Sequence, residues 1–279
     1  MRVWIIGKFG MVAEALSCCL QNMGICFCAT SRKEVDICDI DAIRKWHNYF
    51  RPTHTINVAA YTAVDKAEEE IAKAYAINVY GVENVARILQ EEGGRLIHIS
   101  TDYVFSGENI EGYSENDLPM PQNIYGRTKY EGEKIIQLYV PKATILRTSW
   151  VISSNKKNFF TTMRKLMIEQ AEISVISDQM GRPTLAGDLA EAIVFLLEHS
   201  GVFHFANRGV ATWFTLAQEI YSCLQFTQKL QCEKIIPILS HEYPSKALRP
   251  KCSVLNTQKI EKYGLQIRHW KRGLCELLC

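Results

Sequence analysis

Through the first hundred residues, short apolar runs alternate with longer stretches whose apolar positions recur every three or four residues. Val3-Trp4-Ile5-Ile6 predicts a buried strand. Val12, Leu16, Cys19, Leu20 and Met23 then fall on one helical face. Ile25 to Thr30 predicts a second strand, Ile43 to Phe50 a helix, and Thr55 to Ala60 a third strand suited to cover on both faces. Asp65 to Ala76 and Ile77 to Glu91 predict helices that stop at Gly93-Gly94, and Arg95 to Ile99 a fourth strand. A helix-compatible run, Lys129 to Leu138, follows Tyr125. This alternation predicts an α/β fold, a doubly wound parallel sheet of Rossmann-like type with ligands at the carboxyl ends of its strands. Later, helices are expected over 158–168, 188–197, 214–224 and 256–263, and strands over 173–176 and 201–206. No repeat or long linker interrupts the pattern, so a smaller second lobe should pack on the first.

Composition narrows the class. A hydrophobic fraction of 47% with 22% charged residues over 279 positions is that of a globular protein. A net charge of +2 gives no reason to expect nucleic-acid or membrane binding. The apolar start is broken at Gly7, too soon for a signal peptide or a membrane span. Ten cysteines form no Cys-x-x-Cys pair. Cys18, Cys19, Cys26, Cys28 and Cys38 lie inside element-like runs, as buried small hydrophobes do. They are read as free thiols of a reducing cytoplasm, with neither a disulfide framework nor a metal site expected. His98, His204 and His269 share no metal-ligand spacing.

Candidate chemistry gathers at the strand ends. In Gly7-Lys8-Phe9-Gly10, Gly7 permits a tight turn, Gly10 lets backbone approach a pyrophosphate, and small Ala13 allows close helix packing. The second strand ends in Ser31-Arg32-Lys33, where no acid stands to hold an adenosine 2′-hydroxyl and two cations suit a 2′-phosphate. NADPH is therefore expected over NADH. Ala59-Ala60 and Thr101-Asp102 occupy later strand ends. Tyr125 and Lys129 share a helical face about 6 Å apart along the axis, which suits a phenol acting as acid or base beside a positive charge. Tyr130 and Lys134 form a second such pair about 140° away, and spacing alone does not choose between them.

The residues resemble the extended short-chain dehydrogenase/reductase family, and within it the dTDP-4-dehydrorhamnose reductases. The matching stretches are 7–10, Asp39-Ile40, 57–68, Ser-Thr-Asp-Tyr-Val-Phe-Ser-Gly at 100–107, Tyr-Gly-Arg-Thr-Lys at 125–129, 147–151, Asp-Gln-Met-Gly-Arg-Pro-Thr at 178–184, and Arg-Pro followed by Ser and Leu at 249–255. They run in family order over nearly the whole chain. The resemblance implies Tyr125 as proton donor, Lys129 holding the nicotinamide ribose and lowering the phenol pKa, and Thr101 as third member. Asp102, Tyr103 and Trp150 would face the sugar. It further implies cofactor contacts at Gly7, Gly10, Met11, Val12, Asp39, Ile40, Ala59, Ala60 and Thr62, beside the Arg32 already noted. Arg249 is a candidate for the substrate diphosphate, which a guanidinium can grip bidentately. Asn158, Asp178, Gln179 and Arg182 are further nucleotide candidates. Met11 and Ala13 depart from the Gln and third Gly common in the family's glycine turn.

The reaction implied is NADPH-dependent reduction of the C4 ketone of dTDP-6-deoxy-L-lyxo-4-hexulose to dTDP-L-rhamnose. Relatives build their substrate lobe from interleaved carboxyl-terminal segments. The expected division is thus 1–148 for cofactor and 149–279 mainly for substrate, with late Rossmann elements interleaved, in a chain compatible with a homodimer. Some relatives hold magnesium at a dimer contact, but its ligands cannot be mapped here and no metal is expected. Two alternatives stand beside this. A 4-epimerase or 4,6-dehydratase shares the fold, although Tyr103 occupies the place where dehydratases carry an extra acid. The regulatory subunit of methionine adenosyltransferase is also similar, and fold alone does not fix activity.

Overall fold

Alternate residues of the first strand feed two different cores, which is why the sheet is covered on both faces. The computed structural model describes residues 1–278. Its first half comprises β1 (Arg2–Ile6), α1 (Met11–Asn22), β2 (Cys26–Thr30), α2 (Ile40–Phe50), β3 (His54–Asn57), α3 (Val64–Ala67), α4 (Ile71–Tyr75), a π-helical turn (Ala76–Tyr80), α5 (Gly81–Glu92), β4 (Arg95–Thr101), α6 (Ile124–Tyr139) and β5 (Thr144–Thr148). The second half adds β6 (Val151–Ile152), α7 (Phe159–Glu169), β7 (Glu172–Ile176), β8 (Met180–Gly181), β9 (Thr184–Leu185), α8 (Ala186–Phe195), β10 (Gly201–Phe205), β11 (Ala211–Thr212), α9 (Trp213–Leu224), β12 (Lys234–Ile238), α10 (Gln258–Lys262) and α11 (Trp270–Leu274).

Val3 and Ile5 pack with Ala13, Leu16 and Leu20 of α1 and with Leu189 and Ile193 of α8. Trp4 and Ile6 pack on the other face with Ile43 of α2 and Val82, Val85 and Ile88 of α5. Each such fully buried aliphatic contributes roughly 1.5–3 kcal/mol. The result is a six-stranded parallel sheet in the order β10-β5-β4-β3-β1-β2. A separate core gathers α7, α9 and α11 around the β7–β12 pair. Between them in sequence, α8 and β10 return to the main sheet.

Three departures from the periodicity bear on the site. The expected pair of helices over 65–91 is broken by the π turn, which points Asn78 inward. Its amide bonds the Tyr61 N–H and carbonyl and the Thr128 hydroxyl. β3 stops at Asn57 because its side chain accepts from the Ala59 N–H and bends the chain away. α6 begins at Ile124 rather than Lys129, with Asn123 capping it through the Gly126 N–H.

The cysteine reading needs correcting twice. Cys223 of α9 is bonded to Cys275. Cys18, Cys26 and Cys38 are exposed rather than buried, and Cys19 and Cys28 only partly covered. β2 is an edge strand with no neighbour beyond it, so its thiols are not enclosed. Among the described residues no His, Cys, Asp and Glu group could hold a metal ion, and no helix is long and apolar enough to cross a membrane.

Candidate active site

At the end of β1, Gly7 adopts φ +113°, a region that favours glycine. A Cβ there would lie 2.9 Å from the Ala59 backbone nitrogen and 3.2 Å from Val58 Cγ2. Two strand ends therefore approach closely enough to leave bare backbone at a groove. α1 starts beside it, and no side chain caps its first N–H groups, which stay available to an anion at the positive end of the helix. The cavity there measures about 340 Å³ and is lined by Gly7, Gly10, Arg32, Ala59, Ala60 and Thr62 among others. Met11 and Val12, half-buried, open the helix next to it.

Asp39 and Ile40 do not join this groove. Asp39 caps α2 by accepting from the Asp41 and Ala42 N–H groups, and Ile40 packs against the core. Asp36 and Ile37 line the groove instead. The chain reads Asp-Ile twice, three residues apart, and only the position of the helix cap separates the two copies. Asp36 also pairs with Arg32, whose Nε lies 2.9 Å from its Oδ2. The pair is exposed, worth only ~0.3–0.5 kcal/mol, and leaves Arg32 able to turn to a phosphate.

β4 and α6 bring the reactive groups together. Tyr125, Lys129 and Glu133 follow at four-residue steps on one face of α6. The helix sits tightly against the turn after β4, since a Cβ at Gly126 would come 2.0 Å from the Tyr103 carbonyl oxygen. Lys129 is 2% exposed, and its Nζ donates to the Ile99 carbonyl at 2.6 Å. Burial pushes its ammonium down to about 8, opposed by the Glu133 carboxylate. Glu133 is itself enclosed, paired with Arg147 at 2.6 Å and accepting from the Ser100 hydroxyl.

Burial pushes the Tyr125 phenol up to about 12; the Thr101 hydroxyl acts in the opposite direction and the Asp102 carboxylate adds to the rise. Here the enclosure dominates, and the proton stays on the phenol. The rival pair is a surface contact, with Lys134 Nζ 5.0 Å above the Tyr130 ring.

Thr101 donates to Asp102 Oδ1 at 3.0 Å and accepts from the Tyr103 N–H. Asp102 is 3% exposed and its Oδ2 has no partner. Burial pushes its carboxyl up to about 6, opposed by the nearby Ser253 and Thr101 hydroxyls. The Tyr103 ring meets Tyr125 edge-on at 5.7 Å, and its phenol is raised chiefly by burial.

Arg249 lies beside Tyr103 but is not free to grip a diphosphate. Its Nη2 is 2.7 Å from Asp65 Oδ2. The other Asp65 oxygen accepts from the Ser245 hydroxyl and the Lys246 and Ala247 N–H groups, which straps 245–249 against α3. Trp150, at φ +47°, stacks on Trp213 at 3.6 Å and lies against Gly181. Asn158 caps α7, Asp178 accepts from Ser240, Gln179 accepts from the Trp213 indole, and Arg182 donates to Thr257. All four are therefore engaged in internal bonds. Asp65, Asn78, His98 and Ser253 join the site without having been candidates for it. Asp65 and Ser253 lay inside stretches already singled out, whereas nothing local marks Asn78.

A glycine-turn groove beside a Thr-Tyr-Lys cluster is the arrangement of short-chain dehydrogenase/reductases. The family described as the RmlD substrate binding domain matches residues 1–279, and the chain belongs to it. The spore coat polysaccharide biosynthesis protein SpsK of Bacillus subtilis (strain 168) is 37% identical over 278 residues, 99% of this chain and 96% of that one. The dTDP-4-dehydrorhamnose reductase of Escherichia coli (strain K12) is 36% identical over 290 residues, 100% and 97% of the two chains. The crystal structure of dTDP-4-dehydrorhamnose reductase from Bacillus anthracis in complex with NADP matches with a TM-score of 0.94 at 37% identity, covering 99% and 98%.

Proposed function

We propose that this protein is an NADPH-dependent reductase of the C4 ketone of a nucleotide-linked deoxysugar, converting dTDP-6-deoxy-L-lyxo-4-hexulose to dTDP-L-rhamnose. The reading is carried by the convergence of Thr101, Tyr125 and Lys129 at the carboxyl ends of β4 and its neighbours, beside a groove where Gly7 lets two strand ends approach. Relatives at 36–37% identity and near-full coverage carry the same reductase name or a polysaccharide-biosynthesis one.

The groove fits the cofactor: Gly7, Gly10, Met11 and Val12 would take the pyrophosphate, Arg32 the 2′-phosphate, and Ala59, Ala60 and Thr62 the inner wall. When bound, NADPH supplies the hydride. Tyr125 donates its proton to the oxygen that develops charge at C4, and Thr101 orients that oxygen. For reduction the phenol must begin protonated, which its enclosure favours. Lys129 supplies N–H donors to the ribose side, and Tyr103 and Asp102 form the floor under the sugar. The cofactor half would span 1–148 and the substrate lobe mainly 149–279, with α8 and β10 returning to the main sheet.

The test is NADPH oxidation against a panel of nucleotide-linked 4-ketosugars, with fastest consumption expected for the dTDP-6-deoxy-L-lyxo sugar. Tightly held NAD with no NADPH consumption would point to an epimerase or dehydratase instead. Arg32→Ala is expected to weaken NADPH about tenfold, ~1.4 kcal/mol, and leave NADH unchanged in a fluorescence titration. Equal losses for both coenzymes would remove the 2′-phosphate role. Asp65→Asn is expected to loosen the 245–249 strap, raising KM for the sugar nucleotide roughly tenfold with NADPH affinity intact. An unchanged sugar KM would make the strap irrelevant to binding.

A further inference from the structure

Lys129 is enclosed by neighbours whose hydrogen-bonding roles can be assigned one after another. The Ala59 N–H donates to Asn57 Oδ1 at 3.1 Å. A backbone N–H can only donate, so that end of the Asn57 amide is oxygen and the other is the NH₂. The NH₂ faces His98 Nδ1 at 3.2 Å, which must therefore present a lone pair. His98 is wholly buried, and burial keeps the ring neutral. Its single proton then sits on Nε2, 3.1 Å from Lys129 Nζ. An N–H is aimed at the lysine nitrogen. An ammonium has no lone pair to receive it, whereas a neutral amine accepts it and still donates to the Ile99 carbonyl.

We infer that His98 is a positioning residue for the reduction: it presents its Nε2–H to Lys129, a contact that the amine accepts and the ammonium opposes, and so brings down the pH at which the lysine gives up its proton. The charged neighbours divide on this point. On α6, Glu133 favours the ammonium, but it is already shared with Arg147 of β5 and Ser100 of β4. Tyr125, one turn earlier on α6, keeps its proton. Asn57, Asn78 and Thr128 are neutral. A lysine that must donate to a ribose thus binds cofactor best at the lower pH, and His98 sets where that preference ends. This consequence rests on the reductase reading; the hydrogen-bond string from Ala59 to Lys129 does not.

Two measurements decide it. On the cofactor-free full chain with ring-¹⁵N histidine, long-range ¹H–¹⁵N NMR should show His98 with a bare Nδ1 and a protonated Nε2, its signals assigned by their loss in H98Q. The opposite tautomer, or a doubly protonated ring at neutral pH, overturns the inference whatever the protein's substrate. NADPH dissociation constants are then followed by fluorescence from about pH 6.5 to about 10 in the native protein, H98L and H98Q. Native affinity should fall as pH rises through the Lys129 titration. In H98L that limb should move up by about one pH unit, a tenfold change in proton affinity, and in H98Q, whose amide N–H can replace the ring donor, it should return. A limb that stays in place in H98L, even with a lowered melting temperature, means that His98 only packs. A chain that binds no NADPH at any pH defeats the reductase reading, and the tautomer then judges His98 alone.

Discussion

Tyr125→Phe is expected to cut turnover at least ~100-fold while NADPH affinity stays within about twofold. The substitution removes one oxygen and keeps the ring that packs edge-on against Tyr103. No other neighbour can take over the proton. The Thr101 hydroxyl is the nearest alternative, but it already directs its hydrogen to Asp102 Oδ1. Lys129 points its Nζ to the Ile99 carbonyl. Because burial pushes the phenol up to about 12, it stays protonated through the neutral range. The native reduction should therefore lose no rate to phenol ionisation at pH 7–9. Steady-state kinetics with separate NADPH titrations check both halves, and near-native turnover in the phenylalanine variant would end the proton-donor assignment.

Asp102→Asn is expected to make the fold more stable at neutral pH and the enzyme slower. The carboxyl is raised from 3.8 to about 6 in the folded chain, chiefly by burial. A raised acid stabilises the native state fully below its unfolded pKa, and the contribution disappears as pH rises through the folded one. The window here runs from about 4 to about 6, and the shift amounts to about 3 kcal/mol. Above it, an ionised carboxylate sits buried with one oxygen unpartnered. Asparagine keeps an acceptor for the Thr101 hydroxyl and carries no charge. Its melting temperature should exceed the native value by roughly 5–10 °C at pH 7.5, with the gap closing toward about pH 4. A variant that is less stable at pH 7.5 would show that the carboxylate is held by partners rather than strained. Turnover should fall because the carboxylate orders Thr101, so stability is exchanged for function at this position.

Much of the site was legible because it depends on short-range geometry. Four residues separate Tyr125 from Lys129, and any helix places them on one face. A glycine pair after an apolar run requires a turn wherever it occurs. What misled was also local. The two Asp-Ile copies are equivalent to any pattern, and the difference between them appears only when Asp39 is found capping α2. Arg249 looked free because its partner lies 184 residues away. The rise of the Tyr125 phenol was illegible for a related reason, since its chief cause is burial by the rest of the fold rather than any neighbour on the same helix.

The sequence by itself determined the order of strands and helices, the backbone-lined turn at Gly7, and the pairing of a phenol with an amine one helical turn apart. All three follow from periodicities and residue sizes that act within a few positions. Only the tertiary structure decided which acid meets the groove, what Arg249 and Trp150 touch, which thiols are exposed, and how tightly each buried group holds its proton. Those are properties of desolvation and of contacts between distant segments, and they exist only once the sheet has been covered on both faces.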